Sequence, residues 1–113
     1  MDIQQKKVNA GGIKFFIEAD GKEIARAYLY VLKNDLQAQP FGFMEDVFVD
    51  ENCRGQGLAT KILGRLIETA KENHCYKLVG TSRYGRENVH RLYEKIGFKN
   101  FGVEFKMYLD KVD

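Results

Sequence analysis

The chain has 113 residues, 44% of them apolar and 30% charged, with a formal net charge of +2. That is the balance of a globular domain rather than a disordered segment, and its acids and bases are interspersed, so no bulk bias points to a nucleic-acid partner. No apolar run approaches the roughly 20 residues that cross a bilayer, and the opening MDIQQKKVNAGG has no hydrophobic secretion segment, so the expected compartment is the cytoplasm with no membrane partner.

Residues 1–10 are polar and are expected to fray. From Gly12 the pattern alternates, with Ile13, Phe15 and Ile17 on one face and Lys14, Phe16 and Glu18 on the other. Asp20-Gly21 is a hairpin turn signal, because Gly tolerates positive φ. The return strand is predicted over Glu23 to Leu32, with Ala25, Ala27, Leu29 and Val31 on one face. A polar connection holding the only proline, Pro40, leads to a third strand from Gly42 to Val49.

A helix is predicted from near Gly57. Leu58, Ile62, Leu66 and Ala70 form one ridge and Ala59, Leu63 and Ile67 a second, a stripe wide enough to require a sheet beneath it. Asn73-His74 is the expected stop. A fourth strand is predicted from Tyr76 to Ser82. Strand, helix and strand in this order imply a right-handed crossover, so the third and fourth strands should be parallel. A second helix spans Glu87 to Ile96, with Gly97 at its left-handed end. The tail from Phe98 to Leu109 alternates and reads as one or two final strands. The order is β-β-β-α-β-α-β(β), an α/β fold of the α+β kind: one domain over 1–113 with a mixed sheet covered by two helices.

Cys53 and Cys75 are isolated, and no His/Cys cluster has metal-ligand spacing. The informative stretch is Arg54-Gly55-Gln56-Gly57-Leu58-Ala59-Thr60, where a strand hands over to a helix. The first amides of a helix have no internal partners and carry the positive end of its dipole. Gly55 and Gly57 allow an anion close to the backbone, Ala59 keeps the approach open, and Arg54 and Lys61 add charge. The spacing is not that of a Walker loop, and Thr60 stands where a dinucleotide fingerprint needs its third glycine. The turn alone also fits glycines that serve geometry only.

Three segments together resemble the GNAT acetyltransferase superfamily. Arg54-x-x-Gly57-x-Ala59 is similar to its [RQ]-x-x-G-x-[GA] signature. Glu45-Asp46-Val47-Phe48-Val49 resembles its cofactor strand, and Asn88 followed by Tyr93-Glu94-Lys95-Ile96-Gly97-Phe98 resembles its second motif. The resemblance covers residues 43–98. It implies an acetyl-CoA-dependent N-acetyltransferase that acts on a primary amine of a small molecule, protein or peptide and releases CoA. The CoA pyrophosphate would rest on Arg54 to Thr60 and the pantetheine arm would pair with Val47, Phe48 and Val49, with Asn88 contacting the arm.

Direct attack by a neutral amine needs no enzyme nucleophile and no metal. It needs a base, oxyanion donors and a proton for the leaving thiolate. The resemblance makes Glu45 the candidate base, with Asp46 in reserve, and Tyr93 the candidate acid. Tyr93 equally fits a core aromatic at helical spacing, and His90 a helix-surface residue. Family members usually begin with a strand and two helices that wall the acceptor pocket, whereas this chain starts at what resembles the second strand. The pocket is then open, completed by a second subunit in a homodimer, or formed by Lys33 to Phe41. A CoA-binding sensor with little transferase activity is the competing reading.

Overall fold

The computed structural model describes residues 1–110. The elements are β1 (Ala10–Ala19), β2 (Lys22–Leu32), β3 (Phe41–Val49), a 3₁₀ turn (Glu51–Cys53), α1 (Leu58–Glu72), β4 (Leu78–Gly80) and α2 (Glu87–Ile96). They fall into two compact units, Met1–Gly80 and Thr81–Asp113.

The first unit is a four-stranded mixed sheet in the order β1-β2-β3-β4. β1, β2 and β3 are antiparallel neighbours and β4 is parallel to β3, as the crossover required. Asp20 (φ 52°) and Gly21 (φ 75°) both take positive φ in the first turn, which matches the right-handed twist of the flanking strands. Ala25, Ala27 and Leu29 alternate along β2 and are fully buried. α1 lies across β1, β2 and β3. Ile62, Leu63, Leu66 and Ala70 of α1, together with Met44 of β3, complete this core. Burial of each large aliphatic side chain contributes roughly 1.5–3 kcal/mol, which orders the helix without help from its glycine-rich start.

α1 ends at the predicted place. Asn73 is its C-cap, His74 is left-handed (φ 62°), and the Cys75 amide reaches back to the Ala70 carbonyl at 3.0 Å while the His74 amide reaches Lys71 at 3.0 Å. These are the two bonds of a Schellman ending, here with His where Gly is usual. Both cysteines are free and half-buried, and burial pushes the Cys75 thiol above its ordinary value.

Two expectations are corrected. The fourth strand is Leu78–Gly80 only, not Tyr76 to Ser82. Its ladder stops at Met44↔Gly80, one residue before β3 becomes irregular. The tail forms no strand among residues 98–110. Its alternation is real: Lys106 Nζ lies 3.5 Å from Glu104 and 5.6 Å from the Tyr108 ring centroid, on alternate positions. Phe101, Val103, Phe105, Met107 and Leu109 between them are exposed. Alternation sets a pleat, but a strand also needs a neighbour to bond, and periodicity carries no information about one.

In the second unit, α2 has the predicted limits. Gly97 (φ 129°) ends it by donating to the Tyr93 and Glu94 carbonyls. The Tyr93 and Phe98 rings meet at 5.5 Å between centroids.

Candidate active site

β3 changes character midway. Its first half, Phe41 to Met44, bonds β2 on one side, and Gly42, Phe43 and Met44 pair with β4 on the other. From Glu45 to Val49 it keeps only β2, so this edge of the strand has no ladder partner among the described residues. The β2 ladder breaks at the same place. Tyr28 pairs with Glu45 and Arg26 with Phe48, which leaves Asp46 and Val47 opposite Ala27 alone. This is a β-bulge, and Asp46 is left-handed at φ 52°. Asp tolerates that region better than most residues, but a non-glycine residue held there still costs on the order of 1 kcal/mol. The extra residue disrupts the β2 ladder beside the open edge. Glu45, Asp46 and Phe48 are exposed; Val47 and Val49 are half-buried.

The strand then enters the glycine turn. Asp50 fixes the corner in three ways. Its amide donates to the Ile24 carbonyl at 2.7 Å, its carboxylate accepts from the Asn52 amide at 3.0 Å, and it pairs with Lys22 at 2.8 Å. The Lys22 ammonium, and then the Asn52 amide, hold this carboxyl below its ordinary value. Arg54 donates from Nε to the Val49 carbonyl at 3.3 Å, so the guanidinium spans the turn.

Gly55 (φ 84°) and Gly57 (φ 75°) both need the left-handed region, and a Cβ at either would meet nothing within 4 Å. The space above the turn is therefore open, and the glycines are not there to relieve a packing clash. Gly57 caps α1 without a side-chain bond, and the first intrahelical bond runs from Lys61 to the Gly57 carbonyl at 3.1 Å. The amides of Leu58, Ala59 and Thr60 are thus the unpartnered ones at the positive end of a 15-residue helix. Asp50 is paired with Lys22, and Arg54 and Lys61 are exposed at the turn beside Glu51. Glu45, Val47, Phe48, Val49 and Arg54 to Thr60 consequently form one continuous stretch: an unpaired strand edge leading into an anion-receptive helix start.

Asn88 and Tyr93 belong to the second unit. Asn88 is exposed in the first turn of α2. Its carbonyl accepts from Arg91, which leaves its NH₂ to donate elsewhere. Tyr93 is half-buried, and burial raises its phenol above the ordinary value although Arg86 pulls the other way, so the hydroxyl stays protonated at neutral pH.

His90, read as a helix-surface residue, is half-buried on α2 and is held by the segment before it. Its Nε2 lies 3.1 Å from Ser82 Oγ and 3.0 Å from the Arg83 carbonyl. A carbonyl only accepts, so Nε2 carries a proton, and His90 pins the segment before α2. The bulge and this pin are site features that the sequence did not reveal. Asp46 at the end of a regular-looking alternation gave no sign of the first.

A model of the acetyltransferase (GNAT) family matches residues 2–98. A curated relative from Oryza sativa subsp. japonica, "Probable glucosamine 6-phosphate N-acetyltransferase 2", is 39% identical over 67 residues, which are 59% of this chain and 39% of that protein. The aminoglycoside N(6')-acetyltransferase type 1 of Serratia marcescens is 30% identical over 76 residues, 67% of this chain and 51% of that one. The chain thus spans about half the length of these relatives or less. The crystal structure of glucosamine-6-phosphate N-acetyltransferase from Arabidopsis thaliana superposes with a TM-score of 0.80 at 30% identity, covering 88% of this chain and 67% of that one.

Proposed function

Because the chain belongs to the GNAT acetyltransferase family, we propose that it is a cytoplasmic enzyme that transfers an acetyl group from acetyl-CoA to a primary amine of a small molecule by direct attack. The observation that carries this reading is the coincidence, on one strand, of the open edge, the bulge and the glycine turn. A cofactor with a pyrophosphate at one end and an amide-bearing arm at the other needs those features in that order. The amides of Leu58, Ala59 and Thr60, with Arg54, Gly55, Gln56 and Gly57, take the pyrophosphate. The free edge at Val47, Phe48 and Val49 pairs with the arm as an added strand would.

Each catalytic demand has a residue to meet it. The amine must lose a proton from a group whose ordinary pKa is about 10.4, and Glu45, at the start of the open edge, accepts it. A backbone amide exposed where β3 and β4 part donates to the oxyanion as the amine nitrogen bonds to the acyl carbon. As the carbon–sulfur bond breaks, the departing thiolate takes up a proton, for which the family resemblance makes Tyr93 the candidate donor, and the proton shed by the attacking nitrogen replaces it. The products are the N-acetyl amine and CoA thiol.

The test is calorimetric titration with acetyl-CoA, followed by thiol release in the presence of amines. Saturable one-to-one binding, with thiol released only when an amine is present, is the expected result. Absence of binding at millimolar acetyl-CoA would overturn the reading.

A further inference from the structure

We infer that the outer edge of β1 is a self-association surface: a second copy of this chain adds its own β1 antiparallel to it, about a two-fold axis at Ile13. The edge lies across β2 from the open half of β3, so association and acetyl transfer are read separately.

The edge is available along its length. β1 is the outermost strand and pairs with β2 alone. The Lys33 amide donates to the Asn9 carbonyl at 3.1 Å, one step beyond the Ala10↔Leu32 pair. In an antiparallel ladder such bonds recur at every second residue. Gly11, Ile13, Phe15 and Ile17 therefore turn their amides and carbonyls to β2, and Ala10, Gly12, Lys14 and Phe16 turn theirs outward. A row of unpaired donors and acceptors is a template for another strand. The segment before β1 does not fold back over this row, because Lys6 pairs with Asp35, beyond the end of β2, at 2.6 Å.

An outstretched lysine is a common guard on such an edge. Here Lys14 is drawn off. Its ammonium pairs with Glu23 and stands 5.7 Å from the Tyr28 ring centroid. Both partners belong to β2, so the charge lies over the sheet and away from the edge.

The residues of β1 say which strand fits. Ala10, Gly11 and Gly12 precede Ile13, and Lys14, Phe15 and Phe16 follow it. Further out, Lys6 and Lys7 stand on one side and Glu18 and Asp20 on the other. The strand is thus antisymmetric about Ile13 in both size and charge, and turned end for end it complements itself. With Ile13 opposite Ile13, Lys14 faces the partner's Gly12, Phe15 faces the partner's Gly11, and Phe16 faces the partner's Ala10. Each large side chain meets a small one. Lys7 comes to the end that carries Glu18 and Asp20, and none of these three has an ion pair among the described residues.

Other alignments fail on the same residues. In-register parallel pairing sets like beside like. An antiparallel pair centred on Lys14 opposes two lysines, which is destabilising. One centred on Gly12 leaves Phe16 beyond the partner's strand. A slip by a single residue would match outward groups with inward ones, and no ladder could form. At the Ile13 register the outward residues of both copies exchange roughly eight backbone hydrogen bonds. Ile13, 37% exposed, and Phe16, 51% exposed, are then covered.

The test uses the 113-residue chain by itself. Analytical ultracentrifugation is expected to show a monomer–dimer equilibrium with a Kd of about 1–100 µM, the range of a small contact. Ile13→Lys opposes two ammoniums at the axis and is expected to weaken the dimer at least about tenfold, with the circular dichroism spectrum unchanged. Mild oxidation reads the register. Ile13→Cys places two thiols in a non-hydrogen-bonded pair with Cα atoms about 4.5 Å apart, within disulfide range. A covalent dimer is expected above the background that wild-type Cys53 and Cys75 give. Gly11→Cys, where a Cβ meets nothing within 4 Å, faces the partner's Phe15 and is expected to stay at that background. A wild type still monomeric at about 500 µM, well above the expected Kd, overturns the inference. So does a dimer that Ile13→Lys leaves intact, or a Gly11→Cys that cross-links as readily as Ile13→Cys. Should Ile13→Lys fail to fold, amide exchange in the wild type decides. Exchange at Gly12, Lys14 and Phe16 is expected to slow as protein concentration rises, and rates that do not change with concentration overturn the pairing.

Discussion

The two halves of β3 are made of similar residues and do opposite things. In the closed half, Met44 is 2% exposed, a Cβ on Gly80 would come within 2.7 Å of its Cε, and one on Gly42 within 2.9 Å of Leu78. The glycines there leave room for the Met44 and Leu78 side chains to pack close against the strands. In the open half the ladder to β4 is gone, Phe48 is 37% exposed, and the glycines that follow at 55 and 57 have empty space where a side chain would be. Glycine permits contact in the first half and access in the second. The difference teaches that one strand can anchor a fold and present a binding edge, provided that something between the halves forces them apart. Here that is the bulge at Asp46.

The largest expected effect tests access. Gly57→Glu places a charged side chain in the open space and forces an unfavourable φ, and acetyl-CoA affinity is expected to fall by at least about 100-fold in calorimetry with the fold retained. The next separates the halves by stability. Met44→Ala should lower the unfolding free energy by about 2–4 kcal/mol in urea titration, while Phe48→Ala should change it by less than about 1 kcal/mol. Equal losses would erase the distinction.

Chemistry sharpens the comparison further. Glu45→Gln is expected to reduce kcat by roughly 100-fold, with acetyl-CoA affinity kept. Tyr93→Phe should reduce kcat by about tenfold, again with binding kept. Wild-type turnover in either variant removes that residue's role.

The smallest effect concerns the corner that ends the open half. Because Lys22 and the Asn52 amide depress the Asp50 carboxyl, its contribution to stability is present above the unfolded value near 3.9 and is lost as pH falls through the lower folded value. The melting temperature should therefore decline below about pH 4, and less steeply in Asp50→Asn, where no carboxylate is left to titrate.

Local signals were readable because local chemistry decides them. Asp20-Gly21, the α1 ridges, the Asn73-His74 stop and Gly97 all act through their own φ or their own periodicity. The glycine turn was legible for the same reason. The bulge was not, because Glu45 to Val49 reads as an ordinary strand, and only pairing with β2 reveals one residue too many. The short fourth strand and the unladdered tail failed alike. Both depend on which backbone lies alongside, a property that hydropathy does not carry. The hydrogen bonds of His90 were not legible, because its partners, Ser82 and Arg83, lie in a loop whose path no periodicity predicts.

Asp46 also has a consequence for insertions and deletions. Take it away, and Glu45, Val47 and Phe48 pair in turn with Tyr28, Ala27 and Arg26, each side chain keeping the face it has now. A chain shorter by that single residue would be a more regular sheet, relieved of a left-handed aspartate and deprived of the break in the β2 ladder beside the open edge. In an alignment of related chains, a gap at position 46 is therefore expected to separate those that keep only the architecture from those that keep the reaction.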